Sequence, residues 1–297
     1  MVAIAPRRAR RSRRGARTHS VRHGTRRRLL RGLRGVAILL AIAVAVFPLL
    51  WVLLASFKSA GDLMRLPPVV VFRPTLSNYL GVAREGFFTY LRNSAIVTLG
   101  SVALSVGLGI PAAFGLSRFA IPGRKTIMMA VLSVRFMPYI VFALPLFLLM
   151  VQIGIIGTLG GLVFVYIIIN LPVIIWLMRA FFDDIPRDID EAAAIDGASQ
   201  GVTFFRVVLP CALPGVTTVT ILSLIFAWNE YLFALFLSGR YAQTLTVGLT
   251  RFLGGMETAV RWGMLSAWSI AIVAPIVVLS LLVNRHLRRG FTTDLGQ

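Results

Sequence analysis

The chain has 297 residues but only one cysteine, Cys211, three histidines and eleven acidic residues. A lone cysteine excludes an intrachain disulfide and any cysteine-cluster metal centre. The histidines, His19, His23 and His286, lie toward the two ends of the sequence and support neither a nucleophilic triad nor a metal site. Charged residues make up 14%, against about 25% in soluble domains. A nucleotide-binding P-loop is missing too: in Gly123-Arg-Lys-Thr126 an arginine stands where glycine must precede the lysine. The chain therefore carries no ATPase motif and no constellation that would make it an enzyme.

Apolar length and arginine are what it has. Hydrophobic residues make up 57%, and 29 arginines stand against two lysines, for a net charge of +20. Thirteen of those arginines precede Val36, so residues 1–35 form a basic arm, predicted to be disordered. Such an arm can serve nucleic acid, anionic lipid or membrane topology. No aromatic residue precedes the first apolar run, which disfavours single-strand stacking. The arm reads as a cytoplasmic topology determinant under the positive-inside rule, with a tail that has its own partner as the alternative. The run 36–55 exceeds the roughly 7–15 residues of a signal-peptide core, and no small-residue cleavage site follows it, so it predicts an uncleaved first helix.

About 20 apolar residues are needed to cross the hydrocarbon core as a helix. Six stretches qualify: about 36–56, 91–117, 126–151, 158–180, 213–237 and 263–284. None alternates apolar and polar residues as a barrel strand does, so the predicted fold class is an all-α membrane protein with six transmembrane helices. With both termini inside, 22 basic residues fall on the cytoplasmic side and 8 outside; without the arm the count is 9 to 8, so the first segment decides. This predicts a multi-pass protein of the cytoplasmic (inner) membrane, with a transmembrane domain over 36–290, a tail over 291–297 and both termini cytoplasmic. Two outer segments, 57–90 and 238–262, are long enough to touch an external partner.

Six of the eleven acids lie between Asp183 and Asp196, inside a polar insert spanning 183–210. Asp183, Asp184, Asp188, Asp190 and Glu191 crowd a predicted helix start, where the dipole favours negative charge, with Pro186 in the first turn. Ile189, Ala192, Ala193 and Asp196 recur at helical spacing and form a shallow face. Gly197 supplies a left-handed stop. Ser199 is an N-cap for a second short helix, which carries Phe204, Phe205 and Val208 and is ended by Pro210. Two short helices, a sharp bend and exposed aromatics are expected. The alternative is an amphipathic loop lying on the membrane, but a helix on anionic lipid is normally basic. An acidic island on the cytoplasmic side fits a protein-docking element better.

The spacing Glu191-Ala-Ala193, three residues, Gly197, nine residues, Val207, one residue, Leu209-Pro210 resembles the EAA loop of binding-protein-dependent ABC importer permeases, with Val207 in place of isoleucine. Phe226-Ala-Trp-Asn-Glu-Tyr-Leu-Phe-Ala234 and Thr244-Leu-Thr-Val-Gly-Leu249 resemble the carbohydrate branch, specifically the second permease of maltose-type systems. Ser77-Asn-Tyr79, Asn93-Ser94, Met137-Pro138 and Pro145-Leu146 fit the same branch. The resemblance covers about 36–290 and implies a MetI-like transmembrane fold, the last five helices forming the permease core. It also implies a heterodimer with a homologous second permease, two ATPase subunits that bind the ATP and Mg, and an extracytoplasmic sugar-binding protein. This chain would hold no cofactor and no metal. The cargo would be a di- or oligosaccharide, with glycerol phosphate or a polyol as the alternative. A secondary transporter is disfavoured, because coupling acids near a span centre are lacking.

In such importers the EAA loop is a coupling helix seated in a groove of the ATPase. Glu191 would make charged contacts, Gly197 would allow the bend, and Ala192 and Ala193 would permit close approach. Phe204 and Phe205 would be apolar contacts beside Asp196, Leu209 and Pro210. The outer segment 238–262, with Gly254, Gly255 and Met256 at its centre, would touch the binding protein. Within the spans, Arg135 and the group Trp228, Asn229 and Glu230 are substrate-path candidates, because charge at depth faces a cavity or a partner. Carboxylate and amide suit sugar hydroxyls, and indole stacks on a sugar face. Equally open is an interfacial belt built on Trp228 and Tyr231. For Arg135 a structural ion pair, with Glu230 one candidate partner, is favoured over a path role.

Overall fold

The computed structural model describes residues 19–253 and 258–291. The arm up to residue 18, the candidates Gly254, Gly255 and Met256, and the tail beyond 291 lie outside the described residues. Among those described, every regular element is helical. The chain divides into two compact units, Met1–Leu54 and Ala55–Gln297. The first contains most of α1 (His19–Ser56), whose stretch Gly32–Ser56 is long and apolar enough to cross a membrane.

The second unit holds α2 (Ala60–Met64), α3 (Ser77–Arg84), α4 (Phe87–Arg118), α5 (Arg124–Phe136), α6 (Tyr139–Gln152) and α7 (Leu159–Asp183). It continues with α8 (Asp188–Ile195), α9 (Gln200–Cys211), α10 (Leu213–Trp228), α11 (Leu232–Leu237), α12 (Leu245–Gly248) and α13 (Thr258–Phe291). Of these, α4, α7 and α13 each carry a stretch able to span on its own. The pairs α5–α6 and α9–α10 qualify only as bent spans, so the described chain has four to six crossings.

Two stretches read from the sequence as single spans are broken, the first where Pro138 was expected to kink it. The run 126–151 bends by 97° between α5 and α6. Pro138 has no N–H to give and pushes Met137 out of the helical region, to φ −75°, ψ 142°. The run 213–237 stops at Trp228 and restarts at Leu232. Mean hydropathy over the run did not register that break, because the pieces on either side of Asn229-Glu230 are both apolar overall.

The core is organised along α4 and α7, which pack side by side. Lipid tails are as apolar as leucine, so helix association in a bilayer rests on close packing by small residues. Val97, Ser101, Ser105, Gly109, Ala113 and Ser117 follow one another at four-residue spacing on α4, and all are buried. A Cβ on Gly109 would lie 2.7 Å from Cγ2 of Ile174, so this contact with α7 requires glycine. Toward one end of the pair, Val97, Leu162, Val165 and Tyr166 pack with Phe233 and Leu237 of α11. Toward the other, Phe114, Ile174, Met178 and Phe182 pack with Phe204 and Val208 of α9. A third cluster surrounds Trp268 of α13, whose Nε1 donates to the Leu245 carbonyl at 2.9 Å.

Candidate functional site

The polar insert folds as two helices around a left-handed glycine. Asp188, Asp190 and Glu191 occupy the first turn of α8, where the dipole stabilises them. Gly197 has φ +81°. Its N–H bonds the Ala194 carbonyl at 3.0 Å, and the Ala198 N–H bonds Ala193 at 2.9 Å, the paired closure of a Schellman stop. Ser199 then caps α9 by accepting the Val202 N–H at 3.4 Å.

Several details differ from the sequence reading. Pro186 precedes the N-cap residue Arg187 rather than lying in the first turn. Asp183 belongs to the end of α7, where the dipole disfavours a carboxylate. It is held there by Ser117 Oγ at 2.5 Å, Arg179 at 3.3 Å and Arg124 at 3.5 Å. Pro210 does not end the second helix. Residues Thr203–Val208 form a π-helical turn, with the Leu209 N–H bonded to the Phe204 carbonyl five residues back. Pro210 then stands where α-helical bonding restarts, a position at which a missing N–H costs nothing. The chain turns at Ala212, ahead of Pro214, and the α9–α10 bend is 77°.

Phe204 is a correction as well. It is 6% exposed, with its ring 4.8 Å from Phe114, so it belongs to the core and not to a docking face. Ala193 is buried and Leu209 half-buried, whereas Glu191, Ala192, Asp196, Gly197 and Pro210 are exposed. The most exposed large apolar residues of the loop are Ile195, 87% exposed, and Phe205, 64% exposed. The loop is fixed to α4 by a contact that the sequence did not suggest. Arg118 Nη2 lies 3.0 Å from Asp190 Oδ2 and donates to the Ile185 carbonyl at 3.0 Å, while Arg187 donates to the Ser117 carbonyl at 3.2 Å.

The second group surrounds the break after α10. Glu230 is 7% exposed. Its Oε1 accepts the Phe233 N–H at 2.9 Å, and its Oε2 accepts the Ala234 N–H at 3.0 Å and the Tyr166 hydroxyl at 2.9 Å. The carboxylate thus satisfies the first turn of α11, and Thr246 Oγ1 donates to the Glu230 carbonyl at 2.8 Å. Interrupted backbone at membrane depth has to be satisfied by protein, and Glu230 and Thr246 meet that need. No ion pair joins Glu230 and Arg135. The Arg135 guanidinium lies over the Phe226 ring, 4.4 Å from its centroid, and 5.5 Å from that of Tyr139. Trp228 does not join this group: its Nε1 donates to Ile272 on α13 at 3.0 Å, and its ring packs in the Trp268 cluster.

Arg135, Asn229 and Glu230 line one open cavity of about 530 Å³, together with Tyr139, Asn170 and Tyr231. A second cavity of about 520 Å³ opens on α5 and α7 nearer α8, with Arg124, Lys125 and Arg179 around Met128 and Trp176. Asn170 and Tyr166 escaped the sequence reading, although a polar pair four residues apart in the run 158–180 was a visible signal. Arg118 carried none, because its partner is 72 positions away in the sequence.

A helical membrane unit with a bent-helix polar loop and broken spans around a lined cavity defines a transport component. Residues 105–292 match the family described as "Binding-protein-dependent transport system inner membrane component". The chain is 35% identical over 258 residues to the trehalose transport system permease protein SugB of Mycobacterium tuberculosis, covering 86% of this chain and 93% of that protein. It is 33% identical over 260 residues to the trehalose/maltose transport system permease protein MalG of Thermococcus litoralis, covering 86% and 92%. A crystal structure of a bacterial ABC transporter involved in the import of the acidic polysaccharide alginate contains a chain of the same fold. Its TM-score is 0.75 at 22% identity, over 87% of this chain and 96% of that one. The chain belongs to the family of binding-protein-dependent transport system inner membrane components.

Proposed function

We propose that this chain is a permease subunit of an ABC importer that carries a di- or oligosaccharide across the cytoplasmic membrane. It would act with a homologous second permease, two ATPase subunits and an extracytoplasmic sugar-binding protein. Counting α5–α6 and α9–α10 as one bent span each gives six crossings, and under the positive-inside rule both termini and the α8–α9 loop would then face the cytoplasm. The observation that carries the reading is α8: an acidic first turn, an exposed Glu191 and an exposed Ile195, ended by the Gly197 stop. Supporting it, permeases of trehalose and maltose systems match this chain over most of both lengths.

In this mechanism ATP binding draws the partner ATPases together, α8 moves with them, and the spans switch from inward- to outward-facing. Hydrolysis resets the cycle. In the mainly apolar cavity lined by Arg135, Asn170, Asn229 and Glu230, the Arg135 guanidinium and the Asn229 amide would meet sugar hydroxyls, and the aromatic faces of Tyr139 and Tyr231 suit a sugar ring. Glu191→Lys and Gly197→Pro test the docking role, the second because proline cannot adopt φ +81°. Both should abolish ATPase co-purification and uptake of radiolabelled trehalose or maltose while the chain still reaches the membrane. Normal co-purification in both variants would remove the docking role.

A further inference from the structure

Helix α4 is held at both of its ends by side chains rather than by chain connectivity. At the end near α8, Arg118 pairs with Asp190 at 3.0 Å, its side chain only 8% exposed. Arg187 reaches back to the Ser117 carbonyl at 3.2 Å, and Ser117 Oγ to Asp183. At the other end, Asn93 Nδ2 donates to the Tyr241 and Gln243 carbonyls, both at 3.0 Å. Beside it, Ser94 Oγ accepts the Leu245 N–H at 2.7 Å, and Tyr90 meets Gln243 at 3.2 Å. Between the clamps the buried small-residue stripe runs on four-residue spacing from Val97 to Ser117 and seats α4 on α7. From Asn93 to Arg118 the helix rises about 38 Å, more than the roughly 30 Å hydrocarbon thickness.

We infer that α4 is a strut that ties the α8 loop to the outer segment 238–253, with Arg118–Asp190 and Asn93 as its two clamps. The inference rests on the reading of α8 as the element that docks the ATPase. Although Pro111 lies between the clamps, α4 is seated along its length on α7, so displacement of α8 by the ATPase moves the far end of α4. Asn93 grips backbone carbonyls, so the segment at 241–245 moves with it. By reciprocity, a partner engaging that outer segment biases α8. Arg118 and Asn93 are therefore positioning residues, one at each end of the same element.

The test uses the whole importer, purified through this chain with its partner subunits and placed in lipid nanodiscs. Cys211→Ser removes the chain's own thiol, and Tyr241→Cys supplies a reporter. The Tyr241 side chain is 83% exposed, and the clamp uses its carbonyl, which the substitution keeps. The rate of modification by a charged maleimide is compared with and without trapping by Mg-ATP and vanadate. Trapping should change that rate by about two- to thirtyfold, the range for residues that carry coupling between sites. Arg118→Glu or Asp190→Arg alone should bring the two rates together with the ATPase still bound, and the double exchange should separate them again. Asn93→Ser should abolish the difference from the opposite end, without touching the α8 region. A difference that survives in both Arg118→Glu and Asn93→Ser overturns the strut, as does a reporter that never responds to trapping. Absence of the ATPase from the complex of the unaltered chain would instead defeat the docking reading, and this inference with it.

Discussion

Replacing Glu230 by alanine removes three accepted hydrogen bonds at once, from the Tyr166 hydroxyl at 2.9 Å and the Phe233 and Ala234 amides at 2.9 and 3.0 Å. Hydrogen bonds to a charged group are worth about 1.5–3 kcal/mol each. Burying the carboxylate carries its own cost, which the variant recovers, so the net loss is about 3–5 kcal/mol. At about 2–4 °C per kcal/mol for a domain of this size, the unfolding midpoint should fall by about 6–20 °C. Tyr166→Phe deletes one of the three bonds and should cost about 1.5–3 kcal/mol. Glu230→Gln should fall between, because its amide nitrogen turns one acceptor into a donor that faces other donors. In the alanine background Tyr166→Phe should add almost nothing, since the two residues form one network. The assay is the loss of the monodisperse peak on size exclusion after heating in detergent, run on all four variants and the parent. An alanine variant as stable as the parent, or a tyrosine deletion costlier than the glutamate deletion, refutes the assignment of Glu230 to the first turn of α11.

The two neighbouring phenylalanines should separate stability from docking. Phe204→Ala should cost about 3–5 kcal/mol as a buried ring; Phe205→Ala should stay within about 0.5 kcal/mol yet reduce ATPase capture in a pull-down. Gly197→Ala strains a left-handed position and should cost about 1 kcal/mol, leaving co-purification reduced where Gly197→Pro abolishes it.

How much of this was readable from the chain depended on range. The Gly197 stop, the Ser199 cap and the acid-rich first turn of α8 are decided within about four residues, so local chemistry sufficed. Pro138 announced its bend for the same reason. Asn229-Glu230 announced an irregularity by placing polar groups inside an apolar run, but not what the polar groups do. The errors follow the same rule. Phe204 and Phe205 are indistinguishable as text, and the π-helical turn that sends one inward depends on Phe114 and Phe182 arriving from α4 and α7. Arg135 and Glu230 looked like a pair because opposite charges at depth attract; in the fold each is satisfied by other groups nearer to it.

Composition, the spacing of apolar runs and the polar insert determined by themselves that the chain is a helical membrane protein with an acid-rich polar insert between its apolar runs. Those properties are set by transfer of whole segments between water and lipid and by backbone preferences of single residues, both local in sequence. Only the tertiary structure decided that Glu230 holds a broken span together and that Trp228 turns away from the cavity. It alone decided that Arg118 and Asn93 clamp the two ends of α4. Apart from the local bonds of Glu230 to the Phe233 and Ala234 amides, each of those outcomes is a hydrogen bond or ion pair between residues distant in the chain, and it exists only once tertiary packing has fixed which side chains meet.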